Sequence, residues 1–500
     1  MASKVRAALP LAGIFLLAAA LRFYAIDFGA AYPHARPDEG TAIGHAVDVL
    51  RGDPNPHFFN WPSLTFYVFA AAFAIAKAAG LTVAGSEPVL IARAIVAVAG
   101  ALTVLAAASI GRSLGGPLLA GVSAFFLAVA PLHVRDSHFA MTDVLMTLLA
   151  TVSIALAMRA IDTHRRGLFA AAGVAGGLAT STKYSAGAII AIAAAAPAIA
   201  WAAAFLAGWA AGFVAGTPFA VLDFHAFRGD VAYERAHLSG GHGILLGRGW
   251  VSHLQTTLPY GLGVGVFAAA VCGIPIALVT YRKRALVPAI FATAFYLSIG
   301  AGLTVFFRYA MPLLPVACVF AAAAACAGAR WLAGRLRVAE PIVAALLAIA
   351  IAAPSIYQSA EIDRLLARQD SRELAAAWLA ERLRPDDRLH VSGGDYTRLH
   401  LPGVAFHEWR YDPVTRSFGD PGGATPEWIV LYESPLTEYS AAPEPLRELV
   451  QERYSLAYRV NGVPAAGSGI YDRQDAFFLP IAGFKGVARP GPTVLVYRLR

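Results

Sequence analysis

Hydrophobic positions along this chain fall in long unbroken runs separated by short polar loops. Val89–Ile110, Leu254–Val279 and Pro341–Ala353 reach or approach the roughly 20 residues that cross a bilayer as a helix. Followed from end to end, the runs predict a polytopic α-helical membrane protein of about eleven transmembrane helices. Leu9–Ala20, preceded by Lys4 and Arg6, has the outline of a signal peptide. Arg22 and Phe23-Tyr24 follow it with no small-residue cleavage site, so a retained first span is the better reading. Trp61–Ala79 reads as a juxtamembrane or re-entrant helix at the interface. An extra span there would put Arg112 on the outside and disturb the loop pattern described below. Small residues within the runs (Gly173, Gly176, Gly177; Gly208, Gly212, Gly216) suit close helix contact.

The pattern changes near Gln358. Asp370–Arg384 has the period of an amphipathic helix, with Leu374, Trp378 and Leu379 on its apolar face. Arg388–Ser392, Trp428–Tyr432 and Thr493–Tyr497 have the alternation of short strands, with Gly and Pro between them. The expected organisation is therefore a transmembrane domain over 1–357, with an external loop at 28–87, and a soluble α/β domain over 358–500.

Composition supports the membrane reading. The chain is 58% hydrophobic and 14% charged, against roughly 25% charged in soluble proteins. Its net charge of +8 would suit a nucleic-acid binder if evenly spread. Much of the Lys and Arg instead sits in short loops, where it reports orientation. Lys4/Arg6, Arg159 with His164-Arg165-Arg166, Arg282-Lys283-Arg284 and Arg330/Arg335/Arg337 mark cytoplasmic loops, with Arg112 a weaker member. Keeping them all inside places the loop with Asp38 and Glu39, His133–Asp143, Lys183, Asp223–His253, Arg308 and the C-terminal domain outside. The expected location is the cytoplasmic (inner) membrane, with no nucleic-acid partner. Cys272, Cys318 and Cys326 all lie in apolar segments and indicate no disulfide framework.

The polar residues that resist this scheme are the candidates for chemistry. Asp38 and Glu39 form an acidic pair against the bilayer surface, flanked by His34, Arg36, His57, Asn60 and Trp61. Adjacent helical side chains diverge by about 100°, so one carboxylate can face a substrate while its neighbour braces the helix or binds a metal. Pro37 followed by acids also fits a helix N-terminal cap, a role compatible with catalysis. The run His133-Val134-Arg135-Asp136-Ser137-His138 precedes Asp143. Arg135 and Asp136 suit a surface ion pair, whereas Asp143 within an apolar helix needs a partner or a cavity. Lys183-Tyr184 ends a Gly-rich span, either snorkelling to the interface or contacting phosphate. Arg308-Tyr309 enters a span beside Pro312 and Pro315, and arginine grips phosphate bidentately. Tyr233, Glu234, His237 and His242 are spaced too irregularly for a strong metal signal.

Taken together, a carboxylate base facing water and cations at headgroup level are what sugar transfer from a polyprenyl phosphate needs. The base deprotonates an acceptor hydroxyl, and Arg308 and Lys183 stabilise charge on the departing phosphate.

The motifs RPDEGTAIGHAVDVLRGD, NWPSLTFYV, HVRDSHFAMTDVLMT, GGLATSTKYSAG, GTPFAVLD and FRYAMPLLPVACVFAAA occur in this order. With DSRELAAAWLAERLRP and the final YDRQDAFFLPIAGFKGVARPGPTVLVYR, they resemble the membrane-embedded glycosyltransferases of the GT-C superfamily. The resemblance is to the group related to protein O-mannosyltransferases and lipid A aminoarabinose transferases. It implies an inverting enzyme that uses a polyprenyl-phosphate-linked sugar donor on the extracytoplasmic side. It carries the catalytic acidic pair onto Asp38 and Glu39 and the acid of the second motif onto Asp143. Its Lys-Tyr and Arg-Tyr motifs fall on Lys183-Tyr184 and Arg308-Tyr309; Arg135 and His57 complete the candidate substrate contacts. Asn60-Trp61-Pro62 stands where many members have His-Pro-Pro, so the role of that histidine is not carried over. Members differ in metal dependence, which leaves a divalent metal open as a cofactor.

Asp38 is thus the expected general base, with Glu39 orienting or coordinating. The acceptor is a glycan, lipid or protein hydroxyl, and membrane lipid is a further partner. The rival readings are a lipid-linked glycan flippase or transporter and a non-catalytic envelope scaffold. Transporters commonly place sites near the midplane and show repeated halves; here the charges gather at one face and the tail is unique.

Overall fold

The computed structural model describes residues 2–32, 35–418 and 424–500. His34 and the side chains of Lys4 and Arg6 lie outside the described residues. The chain forms two compact units. The first takes in the chain up to Ile26 and Asp38–Ala360; the second joins Asp27–Pro37 to Glu361–Arg500.

The first unit is helical. Among the described residues six helices are long and apolar enough to cross a membrane: Glu87–Gly115, Thr142–Thr163, Ile199–Gly216, Val264–Tyr281, Leu313–Leu336 and the one starting at Glu340. Pro10–Phe23, Leu64–Ala78, Pro117–Ala128 and Tyr184–Ala195 are shorter apolar helices. Leu64–Ala78, within the segment expected to lie at the interface, has 15 residues. At 1.5 Å per residue that is about 22 Å, short of a hydrocarbon core of roughly 30 Å.

Glycines decide the tightest packing. A Cβ on Gly173 would lie 2.0 Å from the Phe205 carbonyl oxygen, and one on Gly177 would lie 2.0 Å from that of Trp209. Reciprocally, a Cβ on Gly208 or Gly212 would meet the carbonyl oxygens of Ala170 or Val174 at 2.3 Å. The helices Arg166–Thr180 and Ile199–Gly216 therefore touch backbone to backbone through their small faces. The chain between them departs from the helical period, since Tyr184–Ala195 is a 3₁₀ helix of 12 residues. Such runs seldom exceed 3–4 residues, and this one opens directly after Lys183.

The second unit is a five-stranded sheet covered on both faces. Its strands are β1 (Arg388–Val391), β2 (His407–Glu408), β3 (Trp428–Glu433), β4 (Tyr454–Val460) and β5 (Thr493–Leu499). Their order is β2-β1-β3-β5-β4. β1 runs parallel to β2 and β3, while β5 runs antiparallel to β3 and β4. Alternation along β3 sends Trp428, Val430 and Tyr432 to one face with Ala375 and Leu379. Ile429 and Leu431 point to the other, with Leu446 and Val450. The helix Ser371–Ala380 realises the expected amphipathic segment, and the Asp370 carboxylate caps it by accepting from the Arg372 amide at 2.9 Å. β2 and β4 were not expected. The first has two residues, and four of the seven residues of β4 are exposed, so neither carries a strong apolar alternation.

Asp27–Pro37 belongs to this second unit through specific bonds. The Arg36 guanidinium forms two 2.9 Å contacts with the Asp475 carboxylate, with both side chains buried, and covers the Phe477 ring at 4.9 Å. The Tyr32 hydroxyl donates to the Arg398 carbonyl, and the Arg372 guanidinium lies 4.8 Å from the Tyr32 ring centre. Arg36 is thus an ion-pair partner of Asp475 within the second unit.

Candidate active site

Four charged side chains of the first unit, from four separate segments, alternate in sign. Arg308 Nη2 donates to Asp38 Oδ2 at 3.0 Å. Arg308 Nε lies 4.0 Å from Asp143 Oδ2, and Asp143 Oδ1 accepts from Lys183 Nζ at 2.6 Å. Asp143 is 1% exposed and Asp38 27%, so the series joins a buried carboxylate to one that solvent can reach. Asp38, Asp143, Lys183 and Arg308, chosen from sequence at positions far apart, come together here.

Local backbone explains each placement. Asp38 occupies the cap position of the helix Glu39–Leu50 with φ of +70° and makes no side-chain cap bond. This left-handed conformation is uncommon outside glycine, with Asn and Asp among the exceptions. It turns the carboxylate away from the helix amides that a capping role would use. Asp143 lies in the first turn of the helix Thr142–Thr163, where the N-terminal dipole favours a carboxylate. Arg308 sits in the short 3₁₀ turn Phe307–Ala310, just ahead of the helix Leu313–Leu336. Aromatic faces orient both cations: Phe306 lies 4.1 Å from the Arg308 guanidinium and Tyr309 lies 4.4 Å from Lys183 Nζ.

Glu39 links three segments of the first unit. It is buried, receives Arg93 Nε and Nη2 at 2.8 and 2.7 Å, and accepts the Ala140 amide at 2.7 Å. It ties the helix after Asp38 to the helix Glu87–Gly115 and to the loop before Thr142. Of the orienting and coordinating roles expected for Glu39, those three bonds, which engage both carboxylate oxygens, suit the orienting one. Arg93 was not singled out, although an arginine inside an apolar run is the signal that marks such a brace.

The other candidates make bonds of their own. The Tyr184 hydroxyl donates to the Phe59 carbonyl at 2.7 Å, while the Phe59 amide donates to Asp230 at 2.7 Å. Arg135 pairs with its neighbour Asp136 at 2.9 Å, as expected of an ion pair, but both side chains are buried and not at a surface. His57 is 65% exposed and faces Asp53 at 3.3 Å. His133 Nδ1 lies 2.9 Å from Arg22, and both ring nitrogens of His138 lie 2.9 Å from carbonyl oxygens. His237 and His242 pair at 3.0 Å, and the His242 ring packs 5.1 Å from Phe306.

A divalent cation does not fit the residues present. Asp38 and Asp143 already face Arg308 and Lys183. Among the described residues no group of three or more His, Cys, Asp or Glu gathers as a ligand set.

This helical architecture with a small C-terminal sheet unit is similar to that of solved proteins of low sequence identity. Residues 64–220 match the model of the family described as dolichyl-phosphate-mannose-protein mannosyltransferase. The matched stretch holds Arg93, Asp143 and Lys183; Asp38 and Arg308 lie outside it. ArnT from Cupriavidus metallidurans in the apo state is 14% identical over 99% of this chain and 98% of its own, with a TM-score of 0.56. The same protein bound to undecaprenyl phosphate gives 15%, 98%, 97% and 0.52. The Archaeoglobus fulgidus oligosaccharyltransferase tethered with an acceptor peptide is 14% identical over 91% of this chain and 72% of its own, with a TM-score of 0.55. No curated protein matches the sequence.

Proposed function

We propose that the chain is an integral-membrane glycosyltransferase moving a sugar, a hexose or pentose, from a polyprenyl-phosphate donor to a hydroxyl of an external acceptor, with inversion. The observation that carries this reading is the alternating series Asp38–Arg308–Asp143–Lys183, ending on a partly exposed carboxylate. Without substrate its charges cancel. A donor phosphate adds negative charge, and Arg308 is suited to exchange the Asp38 carboxylate for phosphate oxygens in a bidentate grip. That exchange frees Asp38 at the moment the donor is seated.

The acceptor O–H then gives its proton to Asp38 as its oxygen attacks the anomeric carbon. The new C–O bond forms as the bond from that carbon to the phosphate oxygen breaks. The leaving polyprenyl phosphate takes the electron pair, and Arg308 and Lys183 stabilise its charge. Asp143 holds the two cations at a fixed separation, and Glu39 with Arg93 holds the Asp38 backbone in register. The basic loops support an orientation in the cytoplasmic membrane with this site and the C-terminal unit outside. The solved ArnT complex with undecaprenyl phosphate supports the donor class, and the oligosaccharyltransferase tethered with a peptide supports an external acceptor.

The test uses purified full-length protein in lipid with radiolabelled polyprenyl-phosphate sugars, comparing the natural chain with Asp38→Asn. Sugar release or transfer that Asp38→Asn abolishes, with donor binding retained, is the expected result. Absence of donor binding, with lipid-linked glycan moved across vesicles, would overturn it in favour of transport.

A further inference from the structure

The second unit holds a cleft that the proposed chemistry does not use. β1, β2 and β3 run parallel, so their carboxyl ends share one edge of the sheet. The chain leaves β1 for β2 on one side and returns to β3 on the other. A reversal of this kind opens a crevice at the carboxyl ends of an open α/β sheet, the usual place for a ligand. Here a cavity of about 440 Å³ lies at that place, within the range of roughly 300–1,000 Å³ typical of small-molecule sites. Each parallel strand supplies part of its wall: Ser392 and Gly393 follow β1, Arg410 and Tyr411 follow β2, and Glu438 follows β3. The loops are tied together, because the Gly394 amide donates to the Tyr439 carbonyl at 3.0 Å. Gly393 has φ of +80°, and a Cβ there would lie 2.4 Å from Thr397 Oγ1.

An independent observation points to a ligand. Ser392 is 3% exposed and lines the cavity, yet its hydroxyl oxygen has no hydrogen-bond partner. Buried hydroxyls are ordinarily satisfied, and this one belongs to a residue of the cavity wall.

The wall chemistry selects the class. It is mainly polar, with Val391, Ala441 and Pro443 as its apolar members, unlike the apolar lining of most small-molecule pockets. Carboxylates at Asp395, Glu408 and Glu438 oppose phosphates and other anions, while Arg398 and Arg410 oppose cations. Arg398 is already neutralised by Glu408 at 2.6 Å. A neutral ligand with many hydroxyls satisfies such a wall, because each hydroxyl both donates and accepts. Tyr411 adds an aromatic ring for an apolar sugar face. We propose that this cleft is a saccharide-binding site of the C-terminal unit, sized for a short neutral oligosaccharide. That its occupant is the acceptor glycan rests on the transferase reading; the binding does not.

The experiment measures binding of maltose, cellobiose, mannobiose and N,N′-diacetylchitobiose to the full chain in lipid nanodiscs without donor. Saturable binding of at least one disaccharide is expected. Arg410→Ala and Glu438→Ala, both at exposed positions, should weaken it about tenfold or more, as for loss of a charged hydrogen bond. Ser392→Ala should weaken it while leaving thermal unfolding unchanged or raised, since it removes a hydroxyl with no partner. Asp38→Asn should bind as the natural chain does. Failure of all four disaccharides, binding that the cleft variants leave unchanged, or displacement by inorganic phosphate would overturn the proposal. Disaccharide binding by a chain that, tested separately, binds no polyprenyl-phosphate sugar would keep the cleft and reject the transferase.

Discussion

Arg308 Nη2 lies 3.0 Å from Asp38 Oδ2 although 270 positions separate the two residues. The pair joins a left-handed residue at a helix start to a 3₁₀ turn at the entrance of a later helix. One partner is suited to accept a proton and the other to hold a phosphate.

Asp38→Asn tests the first half. Asparagine tolerates the left-handed backbone and keeps the shape of the side chain but not its charge. Transfer should fall by about 10²–10⁴-fold, the contribution of a positioned base, while donor affinity holds or rises as Arg308 loses its competing anion. Donor titration alongside single-turnover transfer reads both effects.

Arg308→Lys tests the second half. It preserves the charge but not the planar fork. Donor binding should weaken about tenfold or more, whereas Lys183→Arg should be milder at equal charge. Equal donor affinity in Arg308→Lys and the natural chain would remove Arg308 from the donor site.

Glu39→Gln separates bracing from chemistry. It leaves Arg93 buried with its charge uncompensated, which costs about 3–5 kcal/mol of stability. Arg93→Met combined with Glu39→Gln should recover part of that loss, because the two residues form one interaction. Thermal unfolding in detergent of Glu39→Gln, Arg93→Met and the double variant checks it, and additive losses would count against the pair.

Gly177→Val should destabilise the first unit by at least about 1–3 kcal/mol. Its Cβ would meet the Trp209 carbonyl oxygen at 2.0 Å, so the two helices would have to move apart. Gly167→Val on the same helix, where nothing lies within 4 Å, is the control and should be close to neutral beyond valine's lower helix propensity.

His390 predicts a pH effect in the second unit. Burial lowers its pKa, opposed by the Trp409 carbonyl and by Glu408. The folded state therefore binds a proton less readily than the unfolded state, whose value is about 6.5. Stability should fall as pH drops below that value. The difference in unfolding temperature between the natural chain and His390→Gln should shrink or reverse from pH 7.5 to 5.5; a constant difference would show that His390 does not contribute.

Much of the first unit was legible because bilayer crossing imposes a length and a composition that any long apolar run displays. The glycine faces at 173–177 and 208–216 were legible for a similar reason, since small residues leave few alternatives to close approach. The helix after Asp370 and the strands near 388, 428 and 493 followed from periodicity. The exposed strand β4 and the 3₁₀ stretch at 184–195 did not, since neither carries a distinctive period.

By itself the sequence determined the class of the protein, the list of polar residues that apolar surroundings would not tolerate, and the sign of each charge. Only the tertiary structure decided their partners. It put Asp38 with Arg308 and Asp143 with Lys183, buried Glu39 against Arg93, and drew Arg36 into the second unit with Asp475. Adjacent residues such as Arg36, Asp38 and Glu39 thus serve three different structures. Hydropathy is a sum over neighbours in the chain, whereas an ion pair depends on where distant backbones bring two side chains, and no local pattern encodes that.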